Sequence, residues 1–217
     1  MNIKMFTSGL LAAALMGPAH GALLTEGFDN VATLVANGWL FQNDSTPTPG
    51  TPWFQGDNTS AFSAQSGAAN SYIASNFLAA PSGGFIDNVL ITPYFSLEST
   101  VTLTFWARAD VVGGFSDSFA VLAGTTVNGN PETVTQVLAD TVALGDWTQY
   151  TVVLANQGAG ATGRFGFEYF GLADSSNYFG IDTVTVTAAA AVPEPGTYSL
   201  MALGLVALAL RRRKSAS

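Results

Sequence analysis

The residues able to do chemistry in this chain are its carboxylates. The sequence holds 15 Asp and Glu against seven Lys and Arg, one His and no Cys. Between residues 22 and 192 there are fourteen carboxylates and two cations, Arg108 and Arg164, a side-chain charge of −12. That stretch has no His, Lys, Met or Cys, because His20, Lys4, Lys214 and the methionines at 1, 5, 16 and 201 all lie outside it. Without His there is no Ser-His-Asp triad, and without His and Cys no conventional zinc site. Without Lys there is no Schiff base and no Ser-Lys dyad. Carboxylates alone can still ligate a hard cation or, as a pair, cleave a glycosidic bond. The charge also excludes nucleic-acid binding through phosphate neutralisation and attraction to anionic lipid surfaces.

Aromatic side chains offer a second kind of chemistry, the stacking of sugar rings. Trp53, Phe54, Tyr94, Trp106, Trp147, Tyr150 and Tyr178 are the candidates. Most are needed by a core, since a sandwich of this size must bury its aromatics. Trp53 stands out: it follows a Pro/Thr-rich loop and precedes Gly56-Asp57-Asn58, so Trp53 and Asp57 form the candidate ligand pair. Asp174-Ser175-Ser176-Asn177 reads as an Asx-type turn. Arg108 and Arg164 are expected to pair with acids near sheet edges.

The elements that must position these residues are strands. Short apolar-alternating runs are separated by Gly, Pro, Asn, Asp and Ser clusters, the signature of an all-β sandwich or barrel. The clearest run is Thr100 to Ala109, with Val101, Leu103, Phe105 and Ala107 on one face and Thr102, Thr104, Trp106 and Arg108 on the other. Arg164 to Phe170 and Tyr178 to Thr187 close the sheet, and in the last of these Ile181, Thr183, Thr185 and Thr187 alternate against Asp182, Val184 and Val186. Val31 to Asn37 reads as one helical turn. Ten or so strands suit a two-sheet antiparallel jelly-roll sandwich. With no cysteine, that fold has no disulfide support.

Both ends carry signals. Residues 1–21 have Lys4, an apolar run from Met5 to Met16, a Gly17-Pro18 break and small residues before Gly21, which is a secretory signal peptide cut after Gly21. The tail has Pro193, Glu194 and Pro195, an apolar run from Gly196 to Leu210, and a basic stop of Arg211, Arg212, Arg213 and Lys214. As a helix, that apolar run spans roughly 22 Å, so it crosses a bilayer only with local thinning and snorkelling arginines. The basic end stays cytoplasmic and places the rest of the chain outside. Triplet, run and basic end together resemble the PEP-CTERM sorting signal of Gram-negative bacteria. The resemblance implies passage through the secretion translocon, transient anchoring by the C-terminal helix, and cleavage near the Pro-Glu-Pro by exosortase. The domains are thus 1–21, 22–187 and 188–217.

The middle segment is similar to the choice-of-anchor J, or cleaved-adhesin, jelly-roll family, a relative of MAM-type and carbohydrate-binding sandwiches. The residues that carry the similarity are Glu26-Gly27-Phe28, Gly38-Trp39, Asp87 to Pro93, Leu103 to Arg108, Trp147 and Ile181 to Val186. Val89 replaces a tryptophan of the family pattern, and Thr183 replaces its second aspartate. The resemblance implies a surface adhesion module without enzyme activity. It also implies a structural calcium site joining the first and last strands, for which Glu26, Asp29 and Asp182 occupy the matching places. The expectation is an exported surface or matrix protein that binds exopolysaccharide; the alternative is a carbohydrate-active enzyme using a carboxylate pair.

Overall fold

The computed structural model describes residues 21–59, 61–130, 132–189 and 201–205. The signal peptide through residue 20, the Pro-Glu-Pro triplet and the basic stop lie outside them. Of the tail's apolar run, 201–205 are helical. Among the described residues no helix is long and apolar enough to cross a membrane.

Residues from 21 to 189 build a two-sheet antiparallel sandwich of twelve strands. Sheet I runs β10 (Thr148–Leu154), β7 (Val101–Ala109), β12 (Tyr178–Ala188), β4 (Ile73–Asn76), β3 (Phe54–Gln55), with β1 (Gly21–Glu26) also on β12. Sheet II runs β2 (Leu40–Asn43), β5 (Phe85–Ile91), β11 (Thr162–Leu172), β8 (Ser118–Thr126), β9 (Thr133–Val142), with β6 (Phe95–Ser96) also on β11. The helical turn expected after residue 31 is a 3₁₀ segment, Val31–Thr33, capped by the Asn30 side chain.

The period of two sorts side chains as the sequence predicts in β7. Val101, Leu103, Phe105, Ala107 and Ala109 are buried, and the residues between them are half-buried. From the other sheet Phe165, Phe167 and Tyr169 of β11 and Phe119 and Val121 of β8 meet them. Aromatic rings dominate the contact: Phe119 stacks on Phe179 at 5.0 Å, and Tyr169 lies parallel to Phe179 at 5.5 Å. Each such ring contributes about 1.5–3 kcal/mol by leaving water.

β12 departs from the sequence reading. A bulge lies between Asp182 and Thr185, and Thr183 has φ +50°. The extra residue flips the alternation, so Val184 and Val186 share the core face with Ile181, and Thr185 and Thr187 do not. An unbroken alternation from Ile181 to Thr187 is therefore corrected.

The outer face of sheet I carries a second apolar layer. Phe62, Tyr72, Ala74 and Tyr178 are buried there, with Phe54 and Trp147 against them. Phe62 stacks on Tyr72 at 5.1 Å. Gly180 makes room: a Cβ there would lie 3.0 Å from ring carbons of both Phe62 and Tyr72. The segment after residue 56 is thus a packed cover on the sheet.

Candidate functional site

Sheet II leaves its outer face open, and the alternation of β11 sets what stands on it. Phe165, Phe167 and Tyr169 face the core, so Arg164, Gly166 and Glu168 face outward. Pairing aligns them with their neighbours. Gly166 lies between Ile91 and Leu122, Glu168 between Val89 and Ala120, and Arg164 beside Gly124. Gln42 of β2 stands opposite Val89, and Val134 of β9 opposite Gly124. Gln42, Val89, Ile91, Leu122, Gly124, Val134, Arg164 and Gly166, with Glu132, line a hollow of about 260 Å³.

Its floor is low because two positions have no side chain. A Cβ on Gly166 would lie 3.2 Å from Val89, and a Cβ on Gly124 would lie 2.2 Å from Glu132 Oε1. The space Gly124 leaves is therefore filled by the Glu132 carboxylate. Arg164 donates from Nε to Glu132 Oε1 at 2.8 Å and from Nη2 to Oε2 at 2.5 Å. The guanidinium also lies 4.7 Å over the exposed Tyr94 ring. The hydrogen bonds from Arg164, outweighing partial burial, hold the Glu132 carboxyl below its ordinary range. This bidentate pair is a fixed, internally neutral polar wall.

The far side of the same face is acidic. Asp87 is pushed up by burial and then by Asp44, and Glu168 is pushed up by burial and then by Asp87 and Asp140. Like charges across neighbouring strands therefore concentrate negative potential beside the hollow.

The candidates named from sequence fall elsewhere. Trp53 is buried, edge-on to Phe179 at 6.1 Å, and its Nε1 donates to the Asn88 carbonyl. It is a core residue and not a sugar platform: the proline-rich loop before it signals a turn, not exposure. Asp57 is half-buried. Its Oδ1 accepts from the Thr59 N–H and hydroxyl, and its own N–H donates to the Tyr178 hydroxyl. Arg164 has the acidic partner expected of it. Among the described residues Arg108 has none: its guanidinium sits 4.6 Å over the Phe62 ring.

Asp29 and Asp182 approach the turn around Gln65–Gly67, and Glu26 pairs with Val184 on β12 beneath it. Asp182 is fully buried, and its Oδ2 accepts from the N–H groups of Gln65 and Ser66 at 2.8 and 3.0 Å. Its Oδ1 accepts from the Thr183 N–H at 2.6 Å and the Thr183 hydroxyl at 3.2 Å. Glu26 Oε1 accepts from the Phe28 N–H. Asp29 is exposed, with Oδ1 beside Gly67. Among the described residues no three carboxylates converge on one point. Asp182 clamps the covering segment to sheet I directly. Burial pushes its carboxyl up, opposed by those N–H bonds.

The residues missed from sequence are Gln42, Glu132 and the Gly124–Gly166 floor, while Tyr94 stood among the aromatic candidates. The signal was present in part: Arg164-Phe165-Gly166-Phe167-Glu168-Tyr169 alternates, which marks Arg164, Gly166 and Glu168 as one outward row.

Residues 191–214 match the PEP-CTERM protein-sorting motif. The match implies export, sorting to the cell surface and processing by exosortase. No curated protein matches the chain. The sandwich is similar to solved cleaved adhesin domains of Lys-gingipain from Porphyromonas gingivalis W83. The K3 domain is 25% identical with a TM-score of 0.55, over 78% of this chain and 99% of that one. The K1 domain is 25% identical with a TM-score of 0.52, over 76% and 97%. The CBM22-1 xylan-binding domain of Paenibacillus barcinonensis Xyn10C shares the fold at 12% identity and a TM-score of 0.51, over 82% and 100%.

Proposed function

We propose that the mature protein, residues 22 to about 192, is a non-enzymatic surface or matrix module that binds a neutral exopolysaccharide across the outer face of sheet II. The observation that carries this reading is the hollow built over Gly124 and Gly166. Ligand sites are mostly apolar concavities with a few fixed polar groups. Here Val89, Ile91, Leu122 and Val134 supply the apolar surface that the C–H face of a sugar needs. Gln42 and the Arg164–Glu132 pair supply oriented hydrogen-bonding groups. Arg164 is already neutralised by Glu132, and the neighbouring acidic row repels uronates, so the site favours uncharged chains. The names of the similar structures, adhesin and xylan-binding domains, support a binding role.

The test is a polysaccharide pull-down with the mature protein and two variants. Gly166→Leu fills the hollow and Arg164→Ala removes its polar wall; both are expected to abolish retention of neutral glucans or xylans while the fold is kept by circular dichroism. Undiminished retention by folded Gly166→Leu protein would sink the proposal. A second reading, hydrolysis by a carboxylate pair, has its support in Glu168, whose carboxyl is raised by burial and by Asp87 and Asp140. Release of reducing ends that is lost in Glu168→Gln would favour it.

A further inference from the structure

The Tyr178 end of β12 carries hollows apart from the face of sheet II. Two of them, of about 270 and 290 Å³, share the exposed Phe77 in their linings. The first is walled by Phe54, Asp57, Asp110 and Asn177, the second by Phe115, Asp174, Ser176 and Asn177. Phe77 and Asn177 belong to both.

The turn that frames them is held from beneath. Asp117 is buried, and its Oδ1 accepts from the Tyr169 hydroxyl at 2.6 Å and the Asn177 N–H at 2.8 Å, while Oδ2 accepts from the Tyr178 N–H at 3.3 Å. The buried Ser176 hydroxyl donates to the Leu172 carbonyl. The Phe77 N–H donates to the Asn177 carbonyl, and the Gly83 N–H donates to Asp174 Oδ2. An exposed aromatic ring is therefore presented on a backbone fixed by buried polar bonds. Preorganisation of this kind lowers the ordering cost of binding.

We infer that this end of the sandwich is a second sugar site, which takes the terminal or branch residues of a neutral glycan, with one ring stacked on Phe77. The walls contribute carboxylates and an amide, which accept hydroxyl protons, and no Lys or Arg lines either hollow. That chemistry selects uncharged, hydroxyl-rich ligands and rejects uronates. Each hollow is at the small end of ligand sites, so it holds one or two rings and not a long run. Its place fits a chain-end reader. β12 is 11 residues long, so this site lies roughly 33 Å along the strand from the Ala188 end, beyond which the chain continues to the sorting motif. The inference shares only the ligand class with the reading of sheet II.

The test titrates ¹⁵N-labelled mature protein with cellotetraose, xylotetraose, mannotetraose and tetragalacturonate. Saturable amide shifts at Phe77, Phe115 and Asn177 with a neutral oligosaccharide, and none with tetragalacturonate, are expected. Phe77→Ala is expected to weaken that response about fivefold or more, and Phe77→Trp to retain it. Because Phe77 is 43% exposed, both variants keep the fold, which the unchanged remainder of the spectrum verifies. Shifts confined to Gln42, Gly124 and Gly166 would overturn this site and leave the sheet II reading standing. Absence of shifts with every oligosaccharide would overturn both.

Discussion

Replacing Tyr169 with phenylalanine removes one hydroxyl from the centre of the sandwich and leaves the ring volume unchanged. The hydroxyl donates to Asp117 Oδ1 at 2.6 Å, and both residues are buried. A hydrogen bond to a buried charged group contributes about 1.5–3 kcal/mol, and here water has no route to replace it. The stack of the ring on Phe179 survives. For a domain of this size 1 kcal/mol moves Tm by about 2–4 °C, so Tyr169→Phe is expected to lower Tm by roughly 4–8 °C at pH 7. The pH dependence is the sharper part. Burial raises the Asp117 carboxyl above its ordinary 3.8, and the Tyr169 hydroxyl, followed by the N–H groups of Asn177 and Tyr178, opposes that rise. A raised carboxyl contributes stability that is present below pH 3.8 and lost as pH rises through its folded value. Removing the hydroxyl raises the folded value further, so more stability is lost by neutral pH. The deficit of the variant should thus be larger at pH 7 than at pH 4. Calorimetric scans at both pH values read it. A deficit below about 2 °C at pH 7, or one that grows toward pH 4, would refute the reasoning.

Further outcomes follow from the same structure. Trp53→Ala should cost about 3–5 kcal/mol in denaturant unfolding while the folded fraction binds glycan as before, because the ring fills core and touches no hollow of sheet II. Asp87, Asp117, Glu168 and Asp182 are all raised, chiefly by burial, so each contributes stability that is present below the ordinary carboxyl range and lost as pH rises through its folded value; replacing any one of them by its amide should therefore stabilise the fold more at pH 7 than at pH 4, and the reverse order in calorimetric scans would contradict this. A chelator tests calcium at Glu26, Asp29 and Asp182: a drop in Tm would support it, and an unchanged Tm would remove it. Intact mass of secreted protein should show an end near Val192, with Arg211 to Lys214 absent; their retention would make the tail an ordinary anchor.

The strand pattern was legible where one face meets core and the other does not, as in β7. It failed in β12 because a bulge is a backbone event: Thr183 at positive φ leaves no mark in hydropathy. Trp53 was misplaced for a related reason. Its neighbours Pro52 and Gly56 signal turns, but burial depends on Phe179, which is remote in sequence. Asp182 was found by its family position, and its role was not, since the N–H groups it holds belong to Gln65 and Ser66. Phe77 gave no signal at all. Its exposure comes from the 3₁₀ turn Phe77–Ala79 and from the Asn177 carbonyl that anchors it.

The pairing of β1 with β12 also sets an order of events. Gly21 and Ala22 lie opposite Ala188 and Thr187, so the first strand to cross the membrane finds its place only beside the last. Along one edge of β12, β4 covers the Tyr178 half and β1 the other. Neither sheet I nor the sandwich can close before β12 has been delivered, and a contact spanning the whole domain closes slowly. The sorting motif begins at residue 191, directly behind β12. Completion of the fold and arrival of the processing signal are therefore nearly simultaneous, and a chain truncated before β12 would present the envelope with an open sheet edge in place of a finished module.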